Sequence, residues 1–99
     1  MHADPPTVLH LSGELDIDGA ATFARALDPL TNRGGVIGLD LADLTFMDST
    51  GINALCQAAQ RLGQRGRIVL LQPRPSVRRV IEMSGLHGVL EINDEARPG

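Results

Sequence analysis

The chain has 99 residues, of which 42% are hydrophobic, with two phenylalanines, no tyrosine, no tryptophan and a formal net charge of −3. A chain of this length buries roughly two-thirds of the surface that it exposes when unfolded, so one domain with one aliphatic core is expected. The scarcity of aromatic side chains and the scatter of the basic residues argue against a nucleic-acid-binding protein and against direct contact with anionic membranes.

The amino terminus and the cysteine content bear on location and redox chemistry. The first ten residues contain neither a basic patch nor a long apolar run, and no window approaches the ~20 apolar residues of a membrane span, so a cytoplasmic protein is predicted. Cys56 is the single cysteine, which excludes an internal disulfide and a cysteine-rich metal site. Its helical spacing from Ile52 and Ala59 predicts a buried, unreactive thiol.

The first half of the chain is predicted to form a strand, a helix and a second strand. Residues 7–12 are extended in character, and the sequence SGELD then turns the chain. From Asp18, a candidate N-cap, hydrophobic residues recur at helical spacing. Pro29 removes a helical N–H and disfavours helical geometry at Asp28, so we expect a kink or a break there. Residues 36–41, rich in branched apolar side chains, fit the second strand.

The second half continues the same alternation. Hydrophobic residues at helical spacing predict an amphipathic helix over residues 52–62, and residues 67–72 fit a third strand. Pro75 suits the first turn of a third helix that ends at Gly85, and a last short strand is predicted at residues 88–92. Strands that alternate with helices imply parallel pairing through helical crossovers, and therefore an α/β domain.

The sequence TFMDSTGI places two adjacent hydroxyl side chains, Ser49 and Thr50, in the turn between the second strand and the second helix. One interpretation is a helix cap, in which either hydroxyl accepts a hydrogen bond from a first-turn N–H and contributes ~1 kcal/mol. A cap accounts for one hydroxyl but leaves the other unexplained. It also leaves unexplained why Asp48, a second good capping residue, comes directly before them.

A catalytic serine is the second interpretation of this turn. A serine between a strand and a helix is typical of the G-x-S-x-G nucleophile elbow, but Met47 stands where the elbow has its first glycine. His2, His10 and His87 show no pattern with a partner carboxylate. The sequence DSTG occurs once, which argues against an aspartic protease. Catalysis is therefore disfavoured.

The third interpretation is a seat for a phosphoryl group. A phosphate at the start of a helix is stabilised by unpaired N–H groups and by the helix dipole, and Gly51 leaves the backbone unobstructed. Ser49 is then a candidate phosphorylation site. The modification would add about −1.5 to −2 charge beside Asp48, enough to repel an acidic partner or to disrupt a dry contact.

Three motifs, in this order and spacing, resemble the STAS-domain anti-sigma factor antagonists of bacteria: GELD (residues 13–16), LDLADLTFMDSTGI (39–52) and MSGL (83–86). FMDSTG is the most specific of them. The resemblance covers nearly the whole chain, from about residue 7 to residue 92.

The resemblance implies a fold class and a domain extent. The expected fold is α/β, a small mixed β-sheet of four to five strands packed with about four helices. A single STAS domain would span residues 5–95, with flexible termini at residues 1–4 and 96–99.

The resemblance also implies a function. In that family the unphosphorylated antagonist binds a serine-kinase anti-sigma factor and frees the sigma factor; the kinase phosphorylates the serine after the motif's aspartate, and a phosphatase reverses this. That serine is Ser49 here. No enzymatic activity, cofactor, metal, nucleic acid or direct membrane contact is expected. The alternative is a constitutive STAS docking subunit of a membrane transport or lipid-trafficking complex.

Carried over residue by residue, the resemblance implies a partner-binding surface around Ser49. Asp48 would position the hydroxyl or the docking turn, Thr50 would be the neighbouring cap, and Gly51 would allow close approach of the kinase. Asp16 of GELD would lie near the same end of the sheet. Two polar residues of the following helix, Asn53 and Gln57, would extend the surface.

Overall fold

The computed structural model describes residues 7–85 and 90–93. The elements in chain order are β1 (Thr7–Leu15), α1 (Ile17–Arg33), β2 (Gly35–Met47), α2 (Ser49–Leu62), a 3-10 turn (Gly63–Arg65), β3 (Gly66–Leu71), α3 (Pro75–Met83) and β4 (Glu91–Asn93). Each predicted strand and helix thus has a counterpart.

The four strands form one sheet in the order β1-β2-β3-β4, and the three described strand pairs are all parallel. A helix separates each strand from the next, and such crossovers produce parallel pairs. The α/β prediction is confirmed. Two details differ: within the described ranges the sheet is parallel rather than mixed, and three α-helices, instead of about four, accompany it.

β2 is longer than the sequence predicted, because it continues to Met47 instead of ending near Leu41. It pairs with the whole span of β1, from Thr7↔Ile37 to Leu15↔Met47, and two irregularities in this register break the alternation of side chains. The polar and apolar residues of the second half of β2 therefore do not show the period of two that predicts a strand.

The core lies between the sheet and the helices and is aliphatic, as predicted, with Phe23 as its one aromatic residue among those described. The opposite face of β1 and β2 exposes Val8 and Val36. Cys56 is half-buried rather than buried, and the amide of Gln60 lies 3.6 Å from its sulfur. The prediction of a buried thiol is therefore wrong, because Cys56 sits at the margin of the apolar face of α2.

α1 is continuous through Pro29, so of the two outcomes predicted near Asp28, the one in which the helix ends and restarts is wrong. The buried side chains of Leu27 and Thr31 hold the helix on both sides of the proline. The hydroxyl of Thr31 donates to the Asp28 carbonyl at 3.0 Å, and the Asp28 carboxylate pairs with Arg61 of α2. Tertiary packing here outweighs the local preference of proline.

The remaining predicted boundaries fall partly outside the described residues. β4 is described over Glu91–Asn93, whereas positions 88–89 of the predicted strand and the predicted flexible termini, 1–4 and 96–99, are not described. α3 ends at Met83, and Gly85 follows with a φ of +80° that favours glycine. Within the described ranges, no helix has the length and apolar character needed to cross a membrane.

Candidate functional site

The turn before α2 is built around the carboxylate of Asp48. Asp48 is the N-cap of α2, and its Oδ1 accepts hydrogen bonds from the backbone N–H of Thr50 at 2.9 Å and of Gly51 at 3.3 Å. The predicted cap, Ser49 or Thr50, is therefore wrong. An aspartate one position earlier reaches the second and third N–H groups of the helix, which is the geometry that an N-cap requires.

The turn before α1 has the same design. The Oδ1 of Asp16 accepts from the N–H of Asp18 at 3.2 Å and of Gly19 at 3.1 Å, so Asp16, not Asp18, is the N-cap of α1. Both turns have the sequence Asp-x-x-Gly, with the aspartate as cap. This repeat is the signal that would have identified both caps from the sequence.

The hydroxyl of Thr50 donates a hydrogen bond of 2.5 Å to the same Asp48 oxygen. This bond is the main reason why the pKa of Asp48 lies below its ordinary value. The backbone N–H groups of Gly51 and Thr50 lower the pKa further, while partial desolvation acts in the opposite direction. Asp48 is thus a carboxylate at neutral pH, and Thr50 holds it in place.

Gly51 is buried and brings the start of α2 close to β1. A Cβ at this position would stand 2.8 Å from the carbonyl oxygen and 2.9 Å from the Cγ of Leu15, and 3.0 Å from the Cγ of Met47. The close approach that this glycine permits is that of α2 to its own sheet. The predicted role of Gly51 in the approach of a partner kinase stays a prediction.

The caps of α1 and α2 lie side by side at one edge of the sheet. Leu15 and Met47 are partners in the parallel β1–β2 register, and the Asp48 N–H donates to the Leu15 carbonyl at 3.4 Å. Asp16 and Asp48 directly follow this pair, so the structure places Asp16 beside the Ser49 turn, where the sequence analysis expected it.

Ser49 is the first residue of α2 and is exposed. Within residues 7–85 and 90–93, no group forms a hydrogen bond with its hydroxyl. The residue borders a shallow depression of about 460 Å³, whose other lining residues are Thr50, Ile52, Asn53, Cys56 and Ser84. The site thus includes Ser84 at the end of α3, a residue that was not among the predicted site residues. Gln57 is exposed on the next turn of α2, outside the depression.

The capping of α2 changes the expected role of its first-turn N–H groups. The groups of Thr50 and Gly51 are already bonded to Asp48, so the predicted seat for a phosphate on these N–H groups is taken by a carboxylate. A phosphoryl group on Ser49 would instead stand outward, beside a negative charge.

The structure offers no catalytic base to Ser49 among the described residues. His10 pairs with Asp40, its Nδ1 3.0 Å from Oδ2, so the expectation that no carboxylate partners a histidine is wrong for this residue. Asp40, however, precedes Met47 by seven strand positions, and each position extends a strand by about 3.3 Å. The His10–Asp40 pair is therefore too far from Ser49 to act on its hydroxyl. His2 and His87 lie outside the described residues, and no three potential metal ligands cluster within them.

Comparison with known proteins supports one family. Over residues 2–91 the chain matches the family described as "Mlab, STAS domain". It is 31% identical over 90 residues to the anti-sigma F factor antagonist of Paenibacillus polymyxa, covering 88% of this chain and 77% of that protein. The solved structure of the anti-sigma factor antagonist SpoIIAA in its unphosphorylated form is 30% identical, with a TM-score of 0.76, covering 96% of this chain and 85% of that chain. The Bacillus cell fate determinant SpoIIAA in its phosphorylated form is 28% identical, with a TM-score of 0.69, covering 96% and 88%.

Proposed function

The chain belongs to the STAS-domain family, and on this premise we propose that it is an anti-sigma factor antagonist whose binding is controlled by phosphorylation of Ser49. The unphosphorylated chain binds a serine-kinase anti-sigma factor, which then releases its sigma factor. The kinase phosphorylates Ser49, the complex separates, and a phosphatase restores the hydroxyl.

The single observation that carries this proposal is the position of the Ser49 side chain. It is exposed at the first position of a helix, and its hydroxyl is not engaged with any described residue. Thr50 differs, because its hydroxyl is bonded to Asp48 and the residue is half-buried. Of the two adjacent hydroxyls, Ser49 is therefore the one that a partner's active site can reach without disturbing the fold.

The phosphoryl transfer requires little of this chain beyond the nucleophile. The Ser49 oxygen forms a bond to the γ-phosphorus of the kinase-bound ATP, the bond from that phosphorus to the β,γ-bridging oxygen breaks, and ADP leaves. The hydroxyl proton passes to a base of the kinase. Asp48 fixes the start of α2 and thereby the position of Ser49, so we propose it as a positioning residue.

The docking surface proposed around Ser49 comprises the neighbouring cap Asp16 and the exposed residues Asn53 and Gln57. Asn53 borders the same depression as Ser49, and Gln57 follows one turn later on α2. Thr50 and Gly51 contribute indirectly, because one holds Asp48 and the other seats α2 against β1. The chain itself is proposed to have no enzymatic activity.

The decisive experiment is phosphorylation by candidate anti-sigma factor kinases. The purified chain is incubated with each kinase and ATP, and the phosphate is mapped by mass spectrometry, with Ser49→Ala and Thr50→Val as matched variants. We expect phosphate on Ser49 in the wild type and in Thr50→Val, and none in Ser49→Ala. Phosphate on Thr50 alone, or on no residue with any candidate, would contradict the proposal.

A second candidate function is a constitutive docking subunit of a membrane transport or lipid-trafficking complex. The match to the STAS-domain family over residues 2–91 is compatible with both functions. A constitutive subunit would bind its partner equally well with Ser49 replaced by alanine or by aspartate. A switched antagonist would keep its affinity in Ser49→Ala and lose it in Ser49→Asp.

A further inference from the structure

Three exposed large apolar side chains lie close to the Ser49 turn in sequence or in strand register, and Ile17 and Met83 are far more exposed than the third, Phe46, which is 47% exposed. Ile17 is 72% exposed and Met83 is 79% exposed. Ile17 is the first residue of α1 as Ser49 is the first residue of α2, and the caps before them, Asp16 and Asp48, follow paired residues of adjacent strands. Equivalent positions on neighbouring parallel units project from the same edge of the sheet.

Met83 adjoins the depression beside Ser49 through its neighbour in sequence. It is the last residue of α3 and directly precedes Ser84, which lines the depression beside Ser49. Ile17, Ser49 and Met83, together called the apolar edge below, thus combine an exposed hydroxyl with two nearby apolar side chains that are exposed to solvent. Exposed apolar side chains grouped around one polar residue are typical of a surface that a partner covers.

The charges around the apolar edge restrict the partner. Glu14, Asp16, Asp18 and Asp48 lie in or beside the β1–α1 and β2–α2 turns, where positions 12–20 and 43–57 contain no lysine or arginine. On α3, Met83 is preceded by Glu82 and, one turn earlier, by Arg79. An anti-sigma factor with an acidic docking face would therefore be repelled before any phosphorylation took place. Repulsion from acidic groups of the partner therefore does not explain why the partner would bind unphosphorylated Ser49 and release phosphorylated Ser49.

We propose that the anti-sigma factor receives Ile17 and Met83 in an apolar recess with a basic rim, and that phosphorylation acts by placing a dianion in this dry contact. This inference rests on the proposed function and specifies its partner. At the rim, water screens the attraction between carboxylates and basic groups. At the centre, a phosphate would lose its hydration with no partner to replace it, and that loss dominates.

The first test measures the role of the two apolar side chains. Dissociation constants are determined for the anti-sigma factor that phosphorylates Ser49 in the assay above, using the wild type, Ile17→Ala, Met83→Ala and the control Val8→Ala. Val8 is an exposed apolar residue of the opposite sheet face, 49% exposed. We expect each edge variant to bind roughly tenfold more weakly and the control to bind as the wild type does.

The second test separates desolvation from repulsion. The ratio of the dissociation constants of the phosphorylated and unphosphorylated chains is measured at low and at high salt. If desolvation separates the two forms, this ratio should be the same at low and at high salt. The affinity of the unphosphorylated chain should still fall as salt is added, because its rim contacts are ionic. Repulsion predicts a ratio that falls steeply towards one.

The outcomes distinguish the two proposals. If no candidate kinase binds or phosphorylates the chain, the proposed function fails and this inference fails with it. If binding and phosphorylation occur but Ile17→Ala and Met83→Ala bind as tightly as the wild type, or the ratio collapses in salt, only the inference is overturned. Unchanged melting temperatures establish that the variants fold, which is expected because both side chains are exposed.

Discussion

Asp16 and Asp48 cap two neighbouring helices in the same way, and they differ in the residue two positions later. That residue is Asp18 after the first cap and Thr50 after the second, and only Thr50 adds a side-chain hydrogen bond to its cap. The turn that carries Ser49 is therefore held by three hydrogen bonds to one carboxylate oxygen, whereas the turn that carries Ile17 is held by two.

Thr50→Val is expected to raise the pKa of Asp48 towards its ordinary value. Valine keeps the shape of threonine but removes the hydroxyl that is the main cause of the lowered pKa. Thr50→Ser keeps a hydroxyl and should leave the pKa close to that of the wild type. NMR titration of the Asp48 carboxyl carbon measures this pKa in the wild type and in both variants. Equal pKa values in the valine and serine variants would contradict this role of Thr50.

The ionised form of Asp48 is expected to stabilise the fold, with a defined pH dependence. The pKa of Asp48 is lowered in the folded state. The carboxylate therefore makes its full contribution to the free energy of unfolding above the ordinary pKa of 3.8, and this contribution is lost as the pH falls through the folded-state pKa. The difference in melting temperature between the wild type and Asp48→Asn should be largest at neutral pH and shrink below about pH 4. Asn53→Ala, which changes no titrating group, should follow the wild-type profile. A difference that is constant down to pH 2.5 would contradict the prediction.

Gly51→Ala is expected to destabilise the chain by about 1–3 kcal/mol. The new methyl group would stand 2.8 Å from the Leu15 carbonyl oxygen, so α2 or β1 must shift. Urea unfolding measures the loss. Asn53→Ala, an exposed position in the same helix, serves as the control and should change stability by no more than about 0.5 kcal/mol. Equal stability of the two variants would show that the interface adjusts without cost.

The order of strands and helices was predictable from the sequence because each element carries its own hydrophobic period. β3 and α3, for example, were predicted within one or two residues of their observed bounds. The class of fold follows from the alternation alone, since crossover helices enforce parallel strands.

The parts that were not predictable depend on contacts between distant segments. Pro29 breaks the local pattern, yet the burial of Leu27 and Thr31 keeps α1 whole. The second half of β2 lacks a regular period because β2 has an extra residue at each of the two irregularities in its register with β1. Gly51 is explained only by its approach to Leu15. The caps differ in this respect, because each turn alone offers several capping residues and only the Asp-x-x-Gly sequence common to both turns identifies Asp16 and Asp48.

Phosphorylation of Ser49 is expected to raise the pKa of Asp48. In the acidic range where Asp48 titrates, the phosphate is below its second pKa of about 6 and carries about −1 charge, which still disfavours the ionised form of the neighbouring carboxylate. Because Ser49 is exposed, the other chemical-shift changes should be confined to the edge of the sheet that carries the two caps. The same NMR titration, on the phosphorylated chain, provides the measurement. A lowered Asp48 pKa, or shifts spread through the core, would contradict an outward-standing phosphate.

Pro29→Ala is expected to stabilise the chain, by between about 1 and about 3 kcal/mol, because it restores a hydrogen-bond donor to the interior of α1. The larger conformational freedom of an unfolded chain with alanine opposes this gain by about 0.4–1 kcal/mol. Pro75→Ala is the matched control: Pro75 is the first residue of α3, where the N–H has no helical partner, so its replacement should be neutral or slightly destabilising. Urea unfolding with an unchanged m-value measures both. A Pro29→Ala variant no more stable than Pro75→Ala would mean that packing around Leu27 and Thr31 already compensates for the missing bond.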